Sequence, residues 1–233
     1  MVRTIFYFAT FIPWTLFVIF TGVPLSFIRP DYLHNYSRFW ARVGLTLAGV
    51  KLKVTGREHL QPDQAVIYMP NHQSNFDILA LFAGLPGQFR WLAKEELFQI
   101  PLFGLAMRRC GYISLDRSDR KKAIKSMNEA ARRIHDGTSV VIFPEGTRSA
   151  DGLLQEFKKG GFMLALKAQV PVLPVAISGS YAVMPKNSLW IRGGTIEVRI
   201  LPAIDSSGMG TADRDPLMEQ VHGRIAASLE AAA

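Results

Sequence analysis

The pattern of apolar and polar positions divides most of the chain into predicted strands and helices. Residues 50–54 alternate with period two, which is typical of a half-buried strand, whereas residues 139–143 are continuously apolar and predict a central, fully buried strand. Further strands are predicted at residues 66–69, 89–93, 112–115, 172–177 and 196–201. Helices are predicted at residues 78–83, 119–135, 160–169 and 215–229. Strands that alternate with helices predict the α/β class: a single mixed, largely parallel β-sheet flanked by helices.

The helix predicted at residues 119–135 has the clearest signals at its ends. Ser118 or Asp119 is placed to cap its first turn, and Gly137 follows its last turn. One face is apolar, and the other carries five cations, at Lys121, Lys122, Lys125, Arg132 and Arg133. This basic face is either simply solvated or contacts an anionic partner.

Residues 4–28 carry no charge, and about 20 apolar residues suffice to span a bilayer. A cleaved signal peptide would need a better cleavage site than residues 26–30 offer. A single span remains open, with the main domain cytoplasmic because Arg29, Arg38 and Arg42 follow the segment. A helical hairpin in one leaflet remains equally open, since residues 32–50 are amphipathic. A buried soluble helix pair is the remaining alternative. We predict a membrane-associated helical segment at residues 1–50.

The charge balance narrows the classes of partner. The net charge is +8, and the excess lies in residues 1–60 (seven Lys/Arg against two Asp/Glu) and residues 86–160 (fourteen against nine). Such a distribution suits an anionic membrane surface or a phosphorylated ligand. No nucleic-acid motif is present. Because Cys110 is the single cysteine, an intrachain disulfide and a Cys-rich zinc site are excluded, and a reducing compartment is expected.

A polar stretch follows the strand predicted at residues 66–69. Residues 71–77 read Asn-His-Gln-Ser-Asn-Phe-Asp, which places His72 at the end of the strand and Asp77 at the start of a helix. Catalytic groups of open α/β sheets gather at such edges. A histidine held by a carboxylate takes a proton from a hydroxyl near neutral pH, so the pair is a candidate general base. The spacing alone is also typical of a hydrogen-bonded loop histidine.

A second polar turn follows the strand predicted at residues 139–143. Residues 143–149 read Phe-Pro-Glu-Gly-Thr-Arg-Ser. The backbone N–H groups of such a turn, together with Arg148, make an anion site, and Lys158 and Lys159 follow near the same edge. The alternative is a tight loop with solvated charges.

Two other predicted strands end at cations. Lys94 follows one of these strands, and Arg117 ends the stretch at residues 111–117. The alternative to a functional role for Arg117 is a surface ion pair with Asp116. The sequence contains no Gly-x-Ser-x-Gly elbow, no Gly-x4-Gly-Lys-Ser/Thr phosphate loop and no metal-ligand cluster. Cys110 lies beside two arginines, where a lowered thiol pKa is conceivable. It has no evident partner histidine, and we expect a structural role.

In their order along the chain, these blocks resemble the glycerolipid acyltransferases, and most of all the bacterial 1-acyl-sn-glycerol-3-phosphate (lysophosphatidic acid) acyltransferases. Residues 71–77 are similar to that family's Asn-His-x4-Asp block, and residues 111–117, 143–149 and 170–175 are similar to its next three blocks. Lys94-x-Glu96-Leu97 and the Phe-Lys-Lys-Gly at residues 157–160 are also family-like. The resemblance covers about residues 50–201 and does not extend to the N-terminal segment.

The resemblance implies transfer of an acyl group from a thioester, acyl-CoA or acyl-acyl-carrier protein, to the sn-2 hydroxyl of lysophosphatidic acid. It implies His72 as the general base and Asp77 as the carboxylate that orients it, within a catalytic domain at residues 51–233. The substrate-binding residues that it implies are Glu145, Gly146, Thr147, Arg148, Arg117 and Lys94. Beyond the acyl-thioester co-substrate, no cofactor and no metal are expected.

Three alternatives stay open: an acyltransferase for another lysolipid acceptor, a thioesterase that uses the same base on water, and a non-catalytic lipid-binding membrane adaptor. The expected partners are lysophosphatidic acid, the acyl donor and anionic membrane lipid, but not nucleic acid. The expected location is the inner cell membrane, with the catalytic domain on its cytoplasmic face.

Overall fold

A seven-stranded sheet forms the centre of the computed structural model, which describes residues 1–61, 64–116 and 119–231. Its strands are β1 (Val50–Thr55), β2 (Ile67–Pro70), β3 (Arg90–Lys94), β4 (Ile113–Leu115), β5 (Val140–Val141), β6 (Val172–Ser178) and β7 (Gly194–Ile200). Their order across the sheet is β1-β7-β6-β2-β5-β3-β4. Only the pairing of β6 with β7 is antiparallel among these neighbours. The prediction of a mixed, largely parallel sheet is confirmed.

Helices cover both faces of the sheet. In the described part of the chain they are α1 (Val2–Ser26), α2 (Pro30–Leu47), α3 (Phe76–Gly84), α4 (Glu95–Phe98), α5 (Phe103–Arg109), α6 (Arg120–His135), α7 (Lys159–Ala168), α8 (Ser180–Val183) and α9 (Arg214–Glu230). Two short 3₁₀ turns lie at Arg57–His59 and Thr211–Asp213. Helices α1, α2, α3 and α8 contribute to the core on one face, and α6, α7 and α9 contribute to the core on the other.

The continuously apolar sequence of β2 follows from its burial on both faces. Tyr68 points into the core beneath α3, whereas Ile67 and Met69 point into the core beneath α7. Successive side chains of a strand alternate between faces, so a strand covered on both sides needs apolar residues at every position. Such a strand delivers the polar residues after it to the carboxyl edge of the sheet.

The predicted elements are found close to their predicted positions. Each predicted strand begins within two residues of an observed one, and the four predicted helices correspond to α3, α6, α7 and α9. Asp119 caps α6, because its Oδ1 accepts a hydrogen bond from the Lys122 backbone N–H at 2.9 Å. Ser118, the alternative cap, lies outside the described residues. Gly137 follows α6 with φ +104°.

The N-terminal segment forms a hairpin of α1 and α2 that packs on the sheet domain. Helix α1 is long and apolar enough to cross a membrane, and 17% of its most apolar window is buried. Its buried residues include Tyr7, whose ring centroid lies 5.7 Å from that of Phe76 at the start of α3. Ala41 and Leu45 of α2 belong to the same core. The division at residue 50 into two domains stays a prediction.

Candidate active site

His72 and Asp77 form a hydrogen-bonded pair at the carboxyl edge of the sheet. His72 follows β2 by two residues, and Asp77 lies in the first turn of α3. The distance from His72 Nδ1 to Asp77 Oδ2 is 2.8 Å, and Asp77 is fully buried. Because a carboxylate accepts, Nδ1 carries the proton, which leaves Nε2 as the basic ring nitrogen.

The carboxylate of Asp77 is itself held by the backbone. Oδ2 also accepts hydrogen bonds from the N–H groups of Gln73 at 2.7 Å and Ser74 at 2.8 Å. Three donors on one oxygen hold the carboxylate in a single orientation. The histidine therefore faces a carboxylate group whose position is fixed.

The ring of His72 is held by a stack of aromatic rings. Its centroid lies 3.7 Å from that of Phe143, with the two planes at 12°. Phe143 in turn stacks on Trp91 of β3, with centroids 5.7 Å apart. This packing keeps the imidazole plane in place while Asp77 sets its tautomer. No spacing along the chain indicates that these three separate segments stack, so the roles of Phe143 and Trp91 are not predictable from the sequence.

One side chain and one backbone hydrogen bond anchor the turn that carries His72 to neighbouring segments. The Asn71 side chain donates to the carbonyl of Ile177 at 2.9 Å and accepts from its N–H at 2.7 Å, which ties the turn to β6. The carbonyl of His72 accepts from the Ser149 N–H at 2.7 Å. The two polar turns predicted from the sequence therefore meet in space.

Glu145 lies beneath the turn and is a buried residue, with 2% of its surface exposed. Its Oε1 accepts the His72 backbone N–H at 2.7 Å. Burial raises the pKa of the Glu145 carboxyl to about 7, against the opposing effect of the hydrogen bond from His72. The resemblance implied that Glu145 binds substrate; in the structure, its observed contact is with the backbone of the candidate base.

A cavity of about 360 Å³ opens beside His72. Its walls are mostly apolar, and they come from both the sheet domain and the hairpin. From the hairpin the lining side chains are Thr15, Val18, Ile19, Leu33, Ser37 and Trp40. A mostly apolar cavity next to a base suits a substrate with a hydrocarbon chain. This contribution of the hairpin to the cavity wall is not predictable from the sequence.

Four of the predicted substrate-binding residues border this cavity together with His72: Lys94, Gly146, Thr147 and Arg148. Lys94 ends β3 and is exposed, and Gly146 takes a left-handed backbone with φ +72°. Arg148 donates from Nη1 to the carbonyl of Lys186 at 3.2 Å. The cavity lining thus includes two cations, Lys94 and Arg148. Arg117, also predicted for this site, lies outside the described residues.

Cys110 lines the same cavity but is not an activated thiol. It is 2% exposed, and burial raises its pKa to about 11. A thiol with a raised pKa stays protonated at neutral pH and is a weak nucleophile. The structure thus contradicts a lowered pKa and agrees with the expected structural role.

The basic face of α6 is partly engaged in contacts of its own. Arg133 donates to the carbonyl of Gly111 at 2.5 Å, and Arg132 pairs with Glu129 at 3.0 Å. Lys122 lies 3.7 Å from Asp116. Exposed pairs of this kind add little to stability.

The fold and the site define an acyltransferase. The Acyltransferase family model matches residues 51–178, which include both polar turns. This chain belongs to that family, and it is an enzyme that transfers acyl groups.

Named relatives narrow the class. The chain is 33% identical over 211 residues to the 1-acyl-sn-glycerol-3-phosphate acyltransferase alpha of Homo sapiens, covering 89% of this chain and 75% of that protein. It is 31% identical over 214 residues to the 1-acyl-sn-glycerol-3-phosphate acyltransferase of Limnanthes douglasii, covering 91% and 75%. The crystal structure of the 1-acyl-sn-glycerophosphate (LPA) acyltransferase PlsC from Thermotoga maritima matches with a TM-score of 0.83 and 28% identity, covering 98% and 94%.

Proposed function

We propose that this protein is a 1-acyl-sn-glycerol-3-phosphate O-acyltransferase that makes phosphatidic acid for phospholipid biosynthesis. The acyl group would come from acyl-CoA or acyl-acyl-carrier protein and would go to the sn-2 hydroxyl of lysophosphatidic acid. The observation that carries the proposal is the His72–Asp77 pair beside a mostly apolar cavity whose lining also includes Arg148 and Lys94. These features correspond to the three parts of such an acceptor. The base would serve its hydroxyl, the apolar cavity its hydrocarbon chain, and the cations its phosphate.

In the proposed reaction, His72 Nε2 takes the proton of the sn-2 hydroxyl. The acceptor oxygen attacks the thioester carbonyl carbon, the C–S bond breaks, and the leaving thiolate takes the proton from the imidazolium. The products are phosphatidic acid and a free thiol, with no acyl-enzyme. Asp77 stabilises the imidazolium that forms in between, as the carboxylate does in a Ser-His-Asp triad. Backbone N–H groups would stabilise the oxyanion.

The acceptor's phosphate would lie against Arg148 and Lys94, with the Gly146–Thr147 turn beside it. An arginine presents several N–H donors to a phosphate, and a turn with positive φ exposes backbone N–H groups to an anion. We also propose Arg117 for the phosphate-binding residues, because the family resemblance implies it. For Glu145 we propose a positioning role, because one of its carboxyl oxygens accepts the His72 backbone N–H.

We infer that the hairpin lies in one leaflet instead of sending α1 across the bilayer. Tyr7 near the start of α1 and five residues near its end, from Val18 to Ser26, are buried against the rest of the protein. A separate span would strip these side chains from their partners, whereas the opposite face of α1 exposes Phe6, Phe17 and Phe20. With Arg29, Arg38 and Arg42 following α1, the expected location is the cytoplasmic face of the inner membrane.

The test is thiol release by the purified protein from acyl-CoA, with and without lysophosphatidic acid, with lipid products identified. We expect release that depends on the acceptor and yields phosphatidic acid. Faster turnover with another lysolipid would overturn the choice of acceptor. Free fatty acid without acceptor would indicate a thioesterase. If no thiol is released from acyl-CoA, the same assay with acyl-acyl-carrier protein decides between another donor and a non-catalytic adaptor.

A further inference from the structure

The loop between α8 and β7, residues 184–193, exposes two large apolar side chains at its tip. Leu189 is 73% exposed and Trp190 is 53% exposed. The loop does not form regular secondary structure, yet hydrogen bonds order it: Ser188 N–H bonds to the Pro185 carbonyl at 3.1 Å, and Trp190 N–H bonds to Ser188 Oγ at 3.0 Å. An ordered loop that presents a tryptophan and a leucine to solvent is typical of a contact surface.

The first half of this loop is attached to the active site. The carbonyl of Met184 accepts from Ser74 Oγ at 2.7 Å, within the turn that carries His72. The carbonyl of Lys186 accepts from Arg148 Nη1 at 3.2 Å. The loop therefore helps to position the arginine that we assign to the acceptor's phosphate.

The second half of the loop is attached to the first turn of α1. The Ile191 N–H donates to Thr4 Oγ1 at 3.0 Å, and the Ile191 side chain is buried. Gly193 lies so close to Arg3 that an added Cβ would stand 2.3 Å from a guanidinium nitrogen. A single loop thus joins the anion site to the start of the membrane-associated helix.

The tip of the loop adjoins the exposed apolar start of α1. Met1, Val2 and Ile5 are 78%, 82% and 61% exposed, and they flank the residue that binds the loop. Two exposed cations, Arg3 and Arg192, belong to the same two segments. Residues 1–28 and 184–193 contain no Asp or Glu. These two segments therefore combine exposed apolar side chains with side-chain charges that are all positive.

We propose that residues 184–193 are a second membrane contact, which inserts Leu189 and Trp190 at the headgroup boundary of an anionic leaflet beside α1. Tryptophan is favoured at this depth, and the cations complement anionic headgroups. A second copy of the chain is a poor occupant, because self-association would bring like charges together. The inference rests on the proposed function, and it adds that the loop holds Arg148 over the leaflet that presents the acceptor.

Fluorescence quenching tests this contact without relying on activity. The full chain with Leu189→Cys is labelled with an environment-sensitive fluorophore and mixed with phosphatidylcholine/phosphatidylglycerol vesicles whose chains are brominated. Ile5→Cys serves as the positive control and Ser207→Cys, in an exposed loop before α9, as the negative control. Wild-type protein treated with the same fluorophore measures how much label attaches to the buried Cys110. We expect strong quenching at positions 189 and 5 and none at 207.

The outcomes separate this inference from the proposed function. Quenching at position 5 without quenching at 189 would overturn the loop contact and leave the membrane-bound hairpin intact. Quenching at neither position would overturn both the hairpin's membrane contact and the inference, whereas acceptor-dependent thiol release would still support the reaction. Equal quenching at 207 would mean non-specific adsorption, which also overturns the inference.

Activity gives an independent readout. The double substitution Leu189→Ser/Trp190→Ser is expected to lower turnover of lysophosphatidic acid in vesicles by about tenfold, because membrane binding weakens when interfacial apolar area is lost. Turnover in detergent micelles should change less than about twofold, since neither side chain lines the cavity. Ile124→Ser, an exposed apolar residue of α6, is the matched control. An equal loss in vesicles and micelles would indicate a structural role and overturn the inference.

Discussion

At the scale of single residues, Glu145 links the protonation of a buried carboxyl group to the position of the base. Its Oε1 holds the His72 backbone N–H, and burial raises its pKa to about 7. A carboxyl group whose pKa is higher in the folded state than its usual 4.5 favours folding when neutral. Its contribution is complete below about pH 4.5 and is lost as the pH rises through about 7.

We therefore predict that Glu145→Gln becomes progressively more stable than the wild type as the pH rises from about 5 to 7.5. The amide oxygen still accepts the His72 N–H, but the side chain no longer ionises in a buried place. The gain should approach at most about 3 kcal/mol, the value of a shift of this size. Thermal unfolding across this pH range measures it. Parallel pH profiles for the two proteins would show that Glu145 keeps its ordinary pKa.

A different residue-scale prediction concerns Arg148. Replacing it with alanine should raise the KM for lysophosphatidic acid by about 10- to 100-fold with a smaller effect on kcat, because a hydrogen bond to a charged group contributes about 1.5–3 kcal/mol. Arg224→Ala is the matched control, since Arg224 also donates to a backbone carbonyl but lies on α9. Steady-state kinetics with varied acceptor provide the measurement. An unchanged acceptor KM would remove Arg148 from the phosphate site.

At the scale of elements, two glycines let α1 and α2 approach closely. A Cβ on Gly22 would stand 2.6 Å from a methyl group of Leu33, and a Cβ on Gly44 would stand 2.5 Å from the ring of Phe11. Small residues at a helix crossing bring the backbones together, as in membrane helix pairs. The hairpin is thus built as one unit with a close interface.

Gly44→Ala should destabilise the protein, because the rigid Phe11 ring cannot move aside without disturbing the stack that it forms with Tyr7 and Trp40. Overpacking of this kind costs about 1–3 kcal/mol. Gly223→Ala, in an open and exposed part of α9, should instead stabilise by about 0.5–1 kcal/mol through helix propensity. Unfolding in a mild detergent compares them. If both substitutions stabilise, the close crossing of α1 and α2 does not exist.

The helices and strands also show how much of this fold can be predicted from the sequence. Strong periodicity or continuous apolar runs located every strand, and capping chemistry located the start of α6. Three helices, α4, α5 and α8, were not predicted, since helices of four to seven residues are too short to establish a period. Strand β5 covers only Val140–Val141 of the run predicted at 139–143, although the N–H of Ile142 still donates to the Tyr68 carbonyl of β2 at 3.0 Å.

The candidate site was predictable in its residues but only partly in its contacts. His72 and Asp77 lie five residues apart, so local spacing indicates their pairing. Glu145 is 73 positions from His72, and their contact exists only because β2 and β5 are neighbours in the sheet. No pattern along the chain records that adjacency, nor the stacking of Phe143 on His72. Tertiary packing alone determines them.

At the scale of the whole molecule, the hairpin and the sheet domain depend on each other. Tyr7, Ala41 and Leu45 are buried in the same core as α3 and the central strands. Trp40 and Val18 form part of the wall of the cavity beside His72. A membrane-associated segment with these contacts is also a structural part of the catalytic site.

Removing residues 1–50 should therefore do more than release the protein from membranes. The exposed core of α3 should make the remaining fragment unstable or aggregation-prone, and the cavity should lose one wall. Thermal unfolding, light scattering and turnover in micelles compare the fragment with the full chain. A soluble fragment that unfolds cooperatively and keeps normal kcat would show that the hairpin is only an anchor.

The most direct test of the central claim is acceptor-dependent thiol release from acyl-CoA, or from acyl-acyl-carrier protein if that is the donor, by wild type and by His72→Ala. His59→Ala, a histidine outside the cavity, is the control, and circular dichroism verifies folding. We predict that His72→Ala loses about 10²- to 10⁴-fold in kcat while remaining folded, as expected for a general base. A folded His72→Ala protein with near-normal kcat would contradict the account.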